Sequence, residues 1–169
     1  MKNKSQNSSN LRSFYKYLYP IKASANIKSM KTCIQHGNTS VYHHSVRVAY
    51  LSYLIGNTLP FKIDNSSLIR GAFLHDYFLY DWHKPQEEKG LHGFTHPETA
   101  LNNAKSDFDL NKKEENIIRS HMWPLTLFHI PSSKEAFIVC LADKTCSAGE
   151  TASGLWRKYV KKRPNVIQR

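Results

Sequence analysis

The amino-acid sequence predicts an all-α fold, a single-domain helical bundle. Apolar residues recur at spacings of three and four in several segments, which is the pattern of helices with one buried face. No segment shows the alternation of a half-buried strand, and no internal repeat is evident. With 169 residues and 40% apolar content, the chain has the length of one domain with a sizeable core.

The first elements are a polar tail and two short helices. Residues 1–9 are rich in Ser and Asn and are expected to be disordered, so the helical domain is expected over 10–169. A helix over Leu11–Leu18 should end at Pro20. A second helix should stop at Gly37, since glycine commonly follows a helix C-terminus. Its apolar positions are Ile27, Met30 and Ile34.

The later helices have recognisable starts. Side chains that accept the first free N–H groups of a helix favour its N-terminus, and Asn or Ser followed three residues later by Glu forms a capping box. The starts are Ser40, Asp64 or Ser66, Asn111 with Glu114, and Ser132 with Glu135. Residues 77–95 are a long connection, and Pro97 fits the first position of another helix. A basic amphipathic helix over about 151–163 either docks on the bundle or faces a membrane or partner.

The chemistry of the chain centres on His75-Asp76, which lies inside the apolar run 71–79. Burying the two polar side chains without partners would cost several kcal/mol, roughly. They must therefore satisfy each other and nearby backbone, or hold a metal ion.

Three further helical patterns also place a His or Asp on their apolar face. Helix bundles build metal sites in this way, from side chains on facing helices. The spacing therefore favours a metal centre over isolated core histidines. These residues are His44 in 41–55, His121 in 117–121 and Asp143 in 136–143.

Three motifs in order resemble the HD-domain metal-dependent phosphohydrolase superfamily. They lie within residues 36–150, called here the core motifs. The motifs are His44-Ser45-Val46-Arg47-Val48-Ala49, Ala72-Phe73-Leu74-His75-Asp76 and Leu141-Ala142-Asp143-Lys144.

The resemblance implies a helical bundle of the HD-domain type and a divalent metal as cofactor. His44, His75, Asp76 and Asp143 would hold the first ion, and Asp76 would bridge two ions where two are present. His96 and His121 resemble the extra histidines of two-metal members; the alternative is that they contact phosphate or cap helix ends. Such ligands suit Mn²⁺, Fe²⁺, Co²⁺, Ni²⁺, Mg²⁺ or Zn²⁺.

Further residues are candidates for contact with substrate. In the connection, His83 and His92 would contact a phosphate or a further metal, unless they are surface or capping histidines. Trp82 and Trp123 would stack on a base or serve packing. Arg47 and Lys144 adjoin ligands in sequence and are catalytic candidates, as is Asp76, which would orient water or accept its proton.

Charge is concentrated at the two ends of the chain. The net charge is +11, with no acidic residue before Asp64 and none after Glu150. This excess either draws anionic substrates to the site or is a basic surface without a specific partner. Nucleic acid stays open as a partner, although no binding motif is recognised. The sequence leaves the oligomeric state open.

Cysteine usage and hydropathy indicate a cytoplasmic protein. Cys33, Cys140 and Cys146 are odd in number and read as free thiols in a reducing compartment. No apolar run approaches the roughly 20 residues of a membrane span. The polar N-terminus lacks the apolar core of a secretion signal.

The resulting functional prediction is metal-dependent hydrolysis of a phosphate ester or anhydride by metal-activated water. The substrate would be a nucleotide or a related small phosphorylated compound. Two alternatives stay open: a di-iron oxygenase of the same superfamily, and a non-catalytic ligand-binding domain.

Overall fold

A computed structural model describes residues 2–24, 26–36, 39–82 and 91–162. Within these ranges the chain forms seven α-helices and one two-stranded antiparallel sheet, which confirms the all-α class. No helix among them is long and apolar enough to cross a bilayer. The elements are α1 Lys2–Ser24, α2 Ile27–Thr32, β1 Ile34–His36, β2 Thr39–Ser40, α3 Val41–Thr58, α4 Asn65–Leu74, α5 His92–Asp107, α6 Lys112–Ser120 and α7 Lys134–Lys162.

Helix α1 is longer than predicted at both ends. It includes residues 2–9, for which disorder was expected, and it continues past Pro20. Phe14, Leu18 and Ile21 are buried at helical spacing on both sides of that proline, so packing holds the helix together. The stop at Pro20 was therefore wrong, whereas the division into domains stays a prediction.

Helix α2 ends earlier than predicted. Cys33 is extended and its N–H donates to the Ser29 carbonyl, which closes the last turn at Thr32. Ile34 begins β1, which pairs antiparallel with β2, so its place in a second helix was wrong. Gly37, the predicted stop, lies outside the described residues.

The predicted starts of α3, α4 and α6 are confirmed at Ser40, Asp64 and the Asn111–Glu114 capping box. For α7 the predicted box was wrong. The cap is Ser133, whose Oγ accepts from Ala136 N, because the Glu135 carboxylate accepts instead from the Asp64 backbone N–H.

Helix α5 begins at His92, so Pro97 lies inside it, and the placement of Pro97 at a helix start was wrong. Proline removes one intrahelical hydrogen bond. A bond from His96 Nδ1 to the His92 carbonyl, 2.8 Å long, supports the turn before it. Helix α7 is unbroken to Lys162, so the predicted basic helix is its end rather than a separate element.

The turn after α4 leads the chain out of the core. Leu79 adopts a left-handed backbone, with φ 60°, which costs a non-glycine residue roughly 1–2 kcal/mol. Asn103 of α5 holds this turn, because its Nδ2 donates to the carbonyls of Tyr77 and Phe78, 3.0 Å away in each case.

Helix α4 packs against both α3 and α6, and α7 closes the bundle against the same two helices. Gly71 of α4 lies against Ile117 of α6: a Cβ added there would be 2.7 Å from Ile117 Cδ1 and 2.9 Å from its Cγ2. Only glycine allows this approach, which brings α4 and α6 together next to the site.

Gly71→Ala is therefore expected to lower the free energy of unfolding by about 1–3 kcal/mol, because overpacking forces the two helices apart. Gly149→Ala is the matched control, since an added Cβ on that exposed helical glycine meets nothing within 4 Å. It should stabilise by about 0.5–1 kcal/mol. Urea unfolding of both variants checks this, and equal stability would contradict the close packing.

Candidate metal centre

Six polar side chains meet in the core of the bundle. α3 supplies His44 and α7 supplies Asp143, while α5 supplies His96. The other three follow directly after helices, where α4 and α6 end. All six are buried, with at most 7% of any residue exposed: His44, His75, Asp76, His96, His121 and Asp143.

Asp76 lies between two pairs of histidines. Its Oδ2 is 3.2 Å from His75 Nε2 and 3.7 Å from His44 Nε2. Its Oδ1 is 3.3 Å from His96 Nε2 and 3.5 Å from His121 Nε2. Each carboxylate oxygen therefore faces its own pair, so that Asp76 could hold an ion on each side if two were bound.

We call the side of Asp76 that faces His44 and His75 the first position, and the side that faces His96 and His121 the second position. Asp143 belongs to the first position. Its Oδ1 is 3.1 Å from His44 Nε2 and 3.7 Å from His75 Nε2. The centre contains three sets of three groups whose ligand atoms lie within 4.8 Å of one another. They are His44, His75 and Asp76; His75, His121 and Asp143; and Asp76, His96 and His121.

Three of the histidines are oriented by their own helices. His75, His96 and His121 each place Nδ1 at 2.7–2.8 Å from a backbone carbonyl one turn earlier. Because a carbonyl only accepts, Nδ1 carries the proton of each bond and Nε2 is left for the centre. Metal-ligating histidines are held in the same way.

The histidine and carboxylate atoms that point into the centre lack suitable hydrogen-bond partners in the protein. His96 Nε2 and His121 Nε2 are 2.9 Å apart, although both rings already donate through Nδ1. Among the described residues, His75 Nε2 and Asp76 Oδ1 are buried without a hydrogen bond. Imidazole and carboxylate donors turned toward one point fit divalent cations.

When no metal is bound, the first position is stabilised by protonated histidines that lie beside carboxylates. Burial lowers the pKa of His44, but bonds to Asp143 and Glu150 outweigh it and raise that pKa to about 9. Burial also lowers the pKa of His75, and the charge of Asp76 raises it to about 10. The same contacts hold the pKa of Asp76 and Asp143 well below the usual range, against the effect of burial.

A metal must therefore displace protons from His44 and His75. At pH 7.5, below both raised pKa values, Mn²⁺ binding should release about two protons per chain. Apparent affinity should rise with pH and level off only above about pH 10, where both rings are neutral without metal. Calorimetry in buffers of different ionisation enthalpy measures this release; none at pH 7.5 would contradict the assignment.

Glu150 contacts His44 through the ring nitrogen that does not face the centre. Its Oε2 lies 3.0 Å from His44 Nδ1, and its Oε1 accepts from Arg47 NH1, also at 3.0 Å. The side chain is buried, and the predictions from sequence did not include it. Its position seven residues after Asp143, on the same face of a helix, was the signal that could have found it.

Glu150→Gln is expected to lower metal affinity roughly 10–100-fold, the usual effect of removing the partner that orients a ligating histidine. Glu98→Gln is the matched control, because Glu98 pairs with Arg119 on the surface, where its side chain is 48% exposed. Calorimetric titration with Mn²⁺ compares the two. Equal affinities would show that Glu150 does not orient His44.

Gln35 is a second contact that the sequence predictions missed. It lies on β1, and its Nε2 donates to Asp76 Oδ2 over 2.6 Å. Its buried Oε1 has no hydrogen-bond partner among the described residues. A strand pairing placed it there, and no helical periodicity could have indicated it.

A cavity of about 810 Å³ opens onto the centre. Of the predicted substrate contacts, His92 lines it, stacked on Trp82 with ring centres 4.8 Å apart. Lys144 also lines it, and its Nζ donates to the His121 carbonyl. The lining residues are Gln35, Asp76, Trp82, Leu91, His92, Gly93, His96, His121, Met122, Pro124, Leu125, Asp143, Lys144 and Ser147.

Two predicted contacts do not line this cavity. Trp123 packs edge-on against Phe137, with ring centres 6.0 Å apart. Arg47 is not among the lining residues and instead donates to the Glu150 carboxylate. Their roles toward substrate stay predictions, as does that of His83, which lies outside the described residues.

The fold and the centre agree with the comparison to protein families. The model of the HD domain matches residues 41–148, more than half of the chain. The chain therefore belongs to the HD domain family, which implies a superfamily of metal-dependent hydrolases that bind divalent ions. Neither the curated proteins nor the solved structures contain a significant match to the chain.

Proposed function

We propose that the protein hydrolyses a phosphate ester or anhydride of a small phosphorylated compound, in a metal-dependent reaction. One observation carries the proposal: both oxygens of Asp76 face a pair of histidine Nε2 atoms at the floor of an open cavity. Family membership supports it. A nucleotide is the substrate that we propose within this class.

Divalent ions at these ligands supply Lewis acidity and lower the pKa of bound water, which makes it nucleophilic at neutral pH. The chain holds and orients the groups around that chemistry. Asp76 is held by a hydrogen bond from Gln35, and we propose that it orients the attacking water. The free Oε1 of Gln35 offers a further acceptor near the same carboxylate.

The basic residues have different positions relative to the cavity. The Lys144 ammonium lies on the wall and donates to the His121 carbonyl, and we propose that it also contacts a phosphate oxygen. Arg47 is 57% exposed and neutralises Glu150, so we propose that it acts by positioning His44. We also propose a cytoplasmic location, because Cys140 and Cys146 are free thiols.

Metal analysis followed by a substrate panel tests the function. Protein loaded with Mn²⁺, Co²⁺ or Ni²⁺ should release inorganic phosphate from phosphomonoesters or nucleotides, and chelation should abolish the release. Bound metal without release from any compound would contradict the proposal. Iron content together with an oxygen-dependent reaction would assign an oxygenase instead.

A further inference from the structure

The cavity wall outside the predicted ligands is poor in charge. Among the lining residues that the structure describes, Lys144 is the only lysine or arginine. On the part of the wall that the structure describes, the excess positive charge of the chain is therefore not gathered.

On the described part of the wall, the donor groups of the polar side chains already have partners in the protein. Gln35 donates to Asp76, and Ser147 Oγ donates to Asp143 Oδ1 over 3.1 Å. His92 Nδ1 is 2.9 Å from Tyr80 Oη. Lys144 Nζ donates to the His121 carbonyl over 3.1 Å. A second or third phosphate group would find few free donors here, and burying it without them is costly.

The remaining lining residues that the structure describes are apolar. They comprise one aromatic ring, aliphatic side chains and one glycine: Trp82, Leu91, Met122, Pro124, Leu125 and Gly93. Leu91 and Leu125 stay 77% and 47% exposed, so apolar surface continues to the outside. Pockets with few polar groups and this size, about 810 Å³, typically bury an organic group by apolar contact.

We propose that the substrate is a phosphate monoester with a single phosphate group and one uncharged, flat or largely apolar group, and not a polyphosphate. This inference rests on the proposed function and narrows it. In the reaction, water forms a new P–O bond, the ester P–O bond breaks, and the alcohol leaves with a proton. The apolar wall holds the group that becomes that alcohol.

The net charge of a metal-loaded centre agrees with a substrate that has a single phosphate group. Two divalent ions, if bound, would be offset by the carboxylates of Asp76 and Asp143 to leave two positive charges, which one phosphate dianion would balance. A triphosphate carries about two further negative charges, and Lys144 alone lies on the described wall to meet them.

Two pairs of probes test the proposal on Mn²⁺-loaded protein. AMP and ATP share a base and differ in phosphate number, whereas AMP and ribose 5-phosphate share one phosphate and differ in the base. We expect kcat/KM for AMP to exceed both others by about tenfold or more. Equal or better use of ATP overturns the single-phosphate class, and equal use of ribose 5-phosphate overturns the role of the wall.

Calorimetric binding of the same compounds separates this inference from the proposed function. If AMP binds best but no phosphate is released, the hydrolase proposal fails and the ligand class stands. If ATP or ribose 5-phosphate binds as well as AMP, or AMP does not bind, the ligand class fails.

A charge added to the wall gives an independent test. Leu125→Arg should shift the ratio of AMP to ATP binding toward ATP by about tenfold, since it supplies the missing positive group. Leu141→Arg is the matched control, because Leu141 is 58% exposed on α7 and does not line the cavity. An equal shift in both variants would reflect net charge alone and overturn the assignment of the wall.

Discussion

Asp76→Asn is expected to remove metal from both positions of the centre and to abolish hydrolysis. The change keeps the shape of the side chain but replaces one of the two facing oxygens by an N–H donor and removes the negative charge. Both histidine pairs lose their shared carboxylate. The loss of metal affinity should therefore exceed the roughly 10–100-fold that follows from removing a supporting partner. Metal analysis and phosphate release measure the two effects.

The same substitution should also destabilise the metal-free protein. The pKa of His75 is raised to about 10 chiefly by the charge of Asp76, against the effect of burial, so the Asn variant leaves a buried ring without its counter-charge. Asp109→Asn, a change on an exposed aspartate, is the matched control and should keep wild-type metal content and melting temperature. Wild-type metal content in Asp76→Asn would refute the bridging role.

His121→Ala is expected to lower the metal content by about one ion per chain and to leave the first position occupied. His121 Nε2 faces His96 Nε2 and the Oδ1 side of Asp76, whereas His44 and Asp143 meet at the other side. Removing one of the two imidazoles at the second position leaves too few ligands for tight binding.

His129→Ala is the control for that experiment, because His129 lies in the same connection outside the centre. Its metal content should equal that of the wild type. Unchanged stoichiometry in His121→Ala would place His96 and His121 in contact with substrate rather than with a second ion. Loss of all metal would instead show that the two positions are occupied as a unit.

The helical part of the centre could be predicted from sequence because periodicity is local. His44 and Asp143 fall on the apolar faces of α3 and α7, and the structure brings both together with His75-Asp76, His96 and His121. Caps such as Asp64 are equally local, since the side chain binds a backbone N–H three residues on. Such features need no knowledge of the remaining chain.

Contacts set by distant partners could not be predicted. Gln35 reaches Asp76 only because a short strand pairs after α2, and no helical pattern marks that pairing. Pro20 and Pro97 lie inside helices that tertiary contacts stabilise, although proline alone favours an end. The apolar wall of the cavity likewise depends on the packing of the connection after α6 against α5.

The most direct test of the centre is a crystal structure of Mn²⁺-loaded protein with anomalous data collected at the manganese edge. We expect two peaks, one bound by His44, His75 and Asp143 and the other by His96 and His121, with one oxygen of Asp76 on each. No peak among these six side chains, or ions bound elsewhere on the chain, would contradict it.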